Sequence, residues 1–529
     1  MFDSIDSTKV ETRRERVVPT KASRAMRLRP SRESASQERK DKRPQNDASA
    51  VLSNRMSAAS AQQNRAAWFG EARDHLLLEI GSDVEICKRL LERLKETYGH
   101  VAYAEGQLWH YAATHWEAFP EHKLRALVQE FDGARYPTPS GSVAWIKLGK
   151  GKINSILHEL LKSCSEPGFF DARAIGINCA SGFIQFGEKG TPTLRPHSPE
   201  HRARHTLCGH WKPGRSIRLP PKSLLRKLLD GVFKGDPDRS EKVQLLAEIC
   251  GVAALGHATK LLQPRSVILY GPLAENGKGQ ILDLVRGLLP EAAVCSVPPA
   301  IMSDERHIIA LAGKLLNATD ELSAAAVASD RFKSVVTGDP VPGRDVYKSR
   351  IEFRPMAQHV FAANALPPFI GGMDRGVQRR LCVVPFNRII PVTERIEGIG
   401  KLVGQREPDL LLAWAIDGAS RALREGVFTT PSSCRQTLRE WIFAADPVAA
   451  WIEERVKVEA DGDVRKGIKT RDAYTEFRSW AAAEGFKTLP EINGFVQRVL
   501  SAGRGIEHRR SGKEGRRFIG MRIRHKEEI

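Results

Sequence analysis

The sequence predicts an α/β protein, and three observations carry that prediction. Residues 267–280, VILYGPLAENGKGQ, pass from an apolar strand through a glycine-bounded loop into a helical pattern. From about residue 264 to 391, strand-like apolar runs alternate with helical ones. From residue 446 onward the pattern changes to helix, helix and basic hairpin, a separate unit.

Composition bounds the rest. The chain has 529 residues, a net charge of +19 and a pI near 9.7. That balance favours a polyanionic partner, most simply nucleic acid, with acidic membranes as the competing reading. No apolar run reaches the roughly 18–20 residues that span a bilayer. The start, MFDSIDSTKVETRRER, has no signal-peptide core. The eight cysteines are scattered without a CxxC pair, which predicts reduced thiols and a cytoplasmic protein. His205, Cys208 and His210 cluster in HTLCGH, but with no nearby fourth ligand they are a weak metal signal.

Residues 1–65 are rich in Arg, Lys, Ser, Ala and Gln and predict a disordered basic tail. Its basic runs suit loose nucleic-acid contact or plain solubilisation equally. Residues 66–215 predict an α+β N-terminal domain. Helical patterns over 83–98, 121–131 and 152–164 flank two hairpins, VAYAEGQLWHYAATHWEAF and AIGINCASGFIQFG. Aromatics at alternate positions (Tyr103, Trp109, Tyr111, Trp116) read as core before base stacking. Residues 216–395 hold the nucleotide-binding core, opening with helices interrupted by GDPDRSEK. A helical lid or linker follows over 396–445, with a strong amphipathic helix at about 410–426.

The chemistry starts at the glycine loop. Strand, glycine loop, GK and helix form a phosphate-binding loop, in which backbone N–H groups and the helix dipole face the anion. Gly271, Glu275, Asn276, Gly277, Lys278, Gly279 and Gln280 are its nucleotide-contacting residues, and Lys278 reaches the β- and γ-phosphates. The loop departs from the common pattern twice. Five residues, not four, separate the first glycine from GK, and Gly279 stands where a Mg²⁺-binding Ser or Thr is usual. The competing reading is a glycine turn joining strand to helix. Downstream, LLNATDEL ends a strand on Asp320 and Glu321. One acid suits the Mg²⁺ shell, assigned to Asp320, and the other the attacking water. VYKSRIEF predicts a hairpin exposing Lys348 and Arg350. The strand of QHVFAANALPPF ends on Asn364, placed to sense the γ-phosphate or to make a turn. Arg375, Arg379 and Arg380 precede another strand, as solvated surface or as a source of γ-phosphate stabilisation in a neighbouring subunit.

In this order the motifs resemble superfamily 3 helicases, specifically the phage and plasmid primase-helicase family related to the poxvirus NTPase-helicase. GPLAENGKGQ is similar to motif A, KLLNATDEL to motif B, and FKSVVTGDPVPGRDVYK to motif B′. HVFAAN is similar to motif C and RRLCVVPF to the arginine motif. More loosely, INCASGFIQFGEKGTPTLRPHSPEHRARHT resembles the family's N-terminal helicase-associated domain. The resemblance implies an AAA+-like P-loop NTPase core using ATP and Mg²⁺. It also implies a homo-hexameric ring moving 3′ to 5′ on single-stranded DNA. Asn364 would be the sensor, Arg379 or Arg380 the finger, and Lys348 a channel contact. The primase half does not carry over: DPD (236–238) and DGD (461–463) sit in polar loops. A separate primase or other replisome proteins are then the expected partners.

The C-terminal unit, 446–529, predicts a winged helix. TRDAYTEFRSWAAAEGF and TLPEINGFVQRVLSAG supply two helices, the second with a Thr488/Glu491 capping box. IEHRRSGKEGRRFIGMRIR supplies a hairpin flanked by Arg509, Arg510, Arg516 and Arg517. Gln497 and Arg498 lie on the exposed side of the second helix, placed to read bases. A protein-interaction winged helix is the competing reading. Together these features predict an ATP-dependent DNA helicase of phage, prophage or plasmid replication. Two rivals remain: an AAA+ loader or initiator, and a DNA-binding protein that has lost hydrolysis.

Overall fold

Near-continuous apolar runs form strands when both faces of a parallel sheet are covered. The protein, a computed structural model, is mixed α/β and follows that rule. It describes residues 77–214, 217–323, 325–344, 350–370, 372–459, 467–486, 489–502, 505–510 and 515–524. The basic tail, Lys348, Thr488 and the DGD loop lie outside the described residues.

The central sheet has five parallel strands: β1 (Ser266–Tyr270), β2 (Val294–Cys295), β3 (Leu316–Thr319), β4 (Gln358–Ala363) and β5 (Leu381–Pro385). Their spatial order is β2-β3-β4-β1-β5. Because β4 inserts between β1 and β3, the C-terminal ends of these three strands lie side by side. Ligands of open α/β sheets gather at such ends.

Helices cover the sheet: α1 (Leu224–Val232), α2 (Arg239–Leu255), α3 (Lys278–Gly287), α4 (Ser329–Thr337), α5 (Ile399–Arg406), α6 (Pro408–Glu425) and α7 (Ser432–Ala445). The stretch 245–255 of α2 is wholly buried, so it needs cover on every side. Part of that cover is α6, the amphipathic helix read from the sequence.

The DPD loop has a structural task. Lys242 is 1% exposed, with its ammonium 2.6 Å from Asp236 and 3.7 Å from Asp238. It also donates to the Pro385 carbonyl. Asp238 accepts from the Ser433 N–H at 2.8 Å. The two acids thus tie α2, β5 and α7 together around a buried cation, which is tolerated only when paired.

A buried polar pair crosses the sheet. Asn317 on β3 is pinned by the Val297 N–H and C=O. Its amide therefore donates to His359 Nδ1 on β4, at 3.1 Å. Both residues are at most 2% exposed.

In the N-terminal part, helix Asp83–Tyr98 has the bounds its periodicity predicts, with Ser82 as N-cap. Each predicted hairpin gains a third strand, giving sheets over 101–118 and 176–195. Trp116 is buried, Trp109 packs on Phe170, and Arg204 lies over both Trp109 and Phe170. These aromatics are core. His205 bonds the Gly313 carbonyl and His210 sits by Asp409, while Cys208 is exposed, so the three face different partners.

At the C-terminal end, α8 (Pro447–Arg455), α9 (Thr470–Ala483) and α10 (Ile492–Ala502) pack around Trp451, Phe477, Phe495 and Phe518. Strand Arg516–Ile519 pairs with Glu507–Arg510 on one side and Ile468–Lys469 on the other. Among the described residues, no helix is long and apolar enough to cross a membrane.

Candidate nucleotide-binding site

Strand β1 delivers the chain into the loop, and α3 begins at Lys278. Two glycines are required by space. A Cβ on Gly271 would sit 2.2 Å from Asn276 Nδ2, and one on Gly277, at φ +87°, would meet Val232. Asn276 is 3% exposed and braces the loop from within. Its amide donates to the Leu273 carbonyl at 2.8 Å, and its oxygen accepts from the Lys278 N–H at 3.3 Å. Gly279 faces open space, so nothing steric excludes a side chain there.

The outer rim is clamped from far along the chain. Glu275 has φ +63°, unusual for a non-glycine residue. Its carbonyl accepts from the Ile390 N–H. Its carboxylate receives two bonds from Arg395, at 2.9 and 2.6 Å. Gln280 accepts from the Gly400 N–H at 3.1 Å, joining α3 to α5.

Lys278 is 8% exposed, and its Nζ donates to the Gly271 carbonyl at 2.6 Å and to Asn364 Oδ1 at 2.7 Å. Burial pulls its pKa down, opposed by the Glu321 carboxylate. Thus β1, β4 and β3 bring Lys278, Asn364 and Glu321 to one end of the sheet. Glu321 is exposed. Asp320 is engaged elsewhere: Arg286 on α3 donates to both carboxylate oxygens, at 2.6 and 2.8 Å. That contact holds the Asp320 pKa below its ordinary value.

Beside the loop lies a cavity of about 1030 Å³. Leu228, Val232, Ile390, Ile396 and Ile399 give it apolar walls. Apolar walls meeting a few convergent polar groups suit a small ligand.

Arg379 is exposed, and no described residue pairs with its side chain. Arg380 is half-buried and donates to the Gly376 carbonyl at 2.8 Å. Both follow the single turn Arg375–Gln378, capped by Asp374.

The candidate DNA contacts are spread out. Strands Val341–Gly343 and Ile351–Phe353 pair antiparallel, and Arg350 beside them bonds Glu305 at 2.7 Å. Gln497 is exposed, but Arg498 is half-buried against Asp446, at 3.5 Å. Arg509 pairs with Glu507, and Arg517 donates to the Gly467 carbonyl. Arg510 and Arg516 are exposed, with no side-chain partner among the described residues. In register, Arg509 faces Arg517 and Arg510 faces Arg516.

Sequence reasoning missed Arg286, Arg395 and the cavity wall. Arg286 had a local signal, since it follows Lys278 by about two helical turns. Arg395 and the wall meet the loop only through tertiary packing.

Residues 269–380 match a family of unknown function, DUF5906. That span holds Lys278, Asp320, Glu321, Asn364, Arg379 and Arg380. No curated protein matches the chain. Among solved structures, the chain is similar to the A-form apo structure of the NrS-1 C-terminal region. The identity is 15%, over 83% of this chain and 99% of that one, with a TM-score of 0.39. Another apo structure of that region gives 13% identity, the same coverage and a TM-score of 0.40.

Proposed function

We propose that this chain is an ATP-driven DNA helicase with an AAA+-like P-loop core and a C-terminal winged helix, serving phage, prophage or plasmid replication. The observation that carries the reading is the seating of Lys278. Its ammonium has three donors; the Gly271 carbonyl and Asn364 take two. The third is available to a phosphate at the mouth of the loop. The N-terminus of α3 begins at the same residue, and a helix N-terminus favours an anion. ATP is the proposed substrate, its base and sugar in the adjoining cavity.

In this reading Lys278 neutralises the β- and γ-phosphates. Glu321 polarises the attacking water, and Asn364 links that water's position to the lysine. Arg379 is the better finger for a neighbouring subunit's ATP, because it is exposed and unpaired among the described residues. Such a finger is worth about 10³-fold or more in rate. The ring is a proposed homo-hexamer, with single-stranded DNA in its channel and duplex at the wing.

Mg²⁺ is the proposed counter-ion of ATP, yet the donor set fits it poorly. Gly279 offers no hydroxyl, and both oxygens of Asp320 are occupied by Arg286. Of the nearby acids only Glu321, the proposed water-polarising residue, is free of a guanidinium. The same feature favours a second reading, a DNA-binding protein or loader that binds ATP with little turnover.

The test measures ATP hydrolysis and forked-duplex unwinding by the full chain, with and without single-stranded DNA. Stimulated turnover with strand displacement, lost in Lys278→Ala, is expected. ATP binding without turnover selects the second reading. Absence of ATP binding removes both.

A further inference from the structure

The Arg286 guanidinium makes three contacts at the end of β3. Two go to the carboxylate oxygens of Asp320, and the third, at 3.1 Å, to the Ala318 carbonyl. The group is thereby fixed against the strand as well as against the acid. Asp283, one turn earlier on α3, lies 3.8 Å from the same guanidinium, and the Lys401 charge acts on Asp320 from α5. A fork matched to a carboxylate is the strongest common ion-pair geometry. Asp320 is 70% exposed, so the pair is open to competition, and Arg286 is its main partner among the described residues.

Mg²⁺ demands near-octahedral oxygen donors and gives up water reluctantly. At this site the hydroxyl donor is missing and one carboxylate is bound to a guanidinium. An ion arriving with ATP would have the phosphates, water and Glu321.

We infer that Arg286 is a positioning residue that withholds Asp320 from divalent metal, so that nucleotide binds the Lys278 loop almost independently of Mg²⁺. The inference rests on the nucleotide-binding reading and adds a specific property to it. It identifies the favoured ligand as the metal-free nucleotide, held by Lys278 and the α3 N-terminus. Freeing Asp320 restores a carboxylate donor, and with it a metal requirement.

The experiment is equilibrium binding of a fluorescent ATP analogue to the full chain, in EDTA and in millimolar Mg²⁺. Mn²⁺ binding to the nucleotide complex, read by electron paramagnetic resonance, is the second readout. In the unaltered chain the two affinities should agree within about threefold, and Mn²⁺ should bind weakly. Arg286→Gln should tighten binding in Mg²⁺ alone, by about tenfold, the scale on which outer partners tune a metal site. Asp320→Asn added to that variant should abolish the gain. Arg286→Lys keeps the charge but not the fork, and should give a smaller gain of the same sign should the glutamine variant fold poorly. Strong Mg²⁺ dependence in the unaltered chain, unchanged in both Arg286 variants, overturns the inference and leaves the nucleotide site standing. Failure to bind the analogue under either condition overturns both.

Discussion

Lys278 Nζ and Asn364 Oδ1 lie 2.7 Å apart, joining the first helical residue after the loop to the residue just past β4. The contact exists because β4 sits beside β1 rather than at the sheet's margin. It gives Asn364 a partner that the competing turn reading does not require.

Lys278→Ala should lower ATP hydrolysis by about 10²-fold or more, the scale of losing one preorganised charge-stabilising donor. Asn364→Asp should act differently. It sets a carboxylate against the ammonium and adds negative charge where phosphates arrive, so nucleotide affinity should fall. Asn364→Ala should bind nucleotide and hydrolyse it slowly. Titration with a fluorescent ATP analogue and a steady-state turnover assay separate the three. Equal affinity for Asn364→Asp and the unaltered chain would remove Asn364 from the phosphate site.

Arg395→Ala should loosen the loop through Glu275, whose positive φ is held by that clamp and by Ile390. Both partners are exposed, so the effect is modest: nucleotide affinity should weaken by up to roughly fivefold, as for an exposed ion pair. High salt should weaken binding in the unaltered chain in the same direction. An affinity that ignores both changes means the loop holds its shape without the clamp.

These two cases divide what the sequence made legible from what it did not. The loop and Lys278 were readable because strand, glycines, lysine and helix are contiguous. Helix Asp83–Tyr98 was readable because its cap and apolar face are local. The Glu275–Arg395 clamp was not, since 120 residues separate its partners. The acids around Lys242 read as a polar loop for the same reason: nothing local says that their cation is buried. Asp320 shows the limit most sharply. Its place after a strand was legible, but its capture by Arg286 depends on how α3 packs across the sheet.

Acid should destabilise the fold through His359. The Asn317 amide donates to its Nδ1, so that nitrogen must be unprotonated in the native state. Burial pulls its pKa down to about 4, from an ordinary value of 6.5. The unfolded chain therefore binds more protons between those values. Stability from the neutral ring is complete above about pH 6.5 and is lost progressively as pH falls toward 4, on the order of a few kcal/mol. His205 and His257, also pulled down to about 4, add in the same direction. His359→Gln should lower the melting temperature at pH 7 yet flatten its fall between pH 7 and 5. A melting curve as steep in pH as the unaltered chain's would show that His359 does not titrate on unfolding.

The arginines of the paired strands Glu507–Arg510 and Arg516–Ile519 should bind phosphates unequally. Like charges placed directly opposite on paired strands are destabilising, and here Arg509 faces Arg517 and Arg510 faces Arg516. A polyanion would relieve that cost. Arg509 and Arg517 already have protein partners in Glu507 and the Gly467 carbonyl, while Arg510 and Arg516 have none among the described residues. Neutralising Arg510 and Arg516 should therefore lower duplex affinity most and flatten its salt dependence by roughly one unit of slope per lost contact. Arg509→Ala should do less, because Glu507 already offsets its charge. Gln497→Ala should change sequence preference with little effect on the salt slope. Arg498→Ala should act chiefly through the lost Asp446 contact, lowering thermal stability more than DNA affinity. Fluorescence titration of the full chain against duplexes of different sequence at several salt concentrations, without ATP, measures the DNA effects, and a melting curve measures that of Arg498→Ala. A salt slope unchanged by the Arg510 and Arg516 substitutions assigns duplex contact elsewhere and favours a protein partner for these strands.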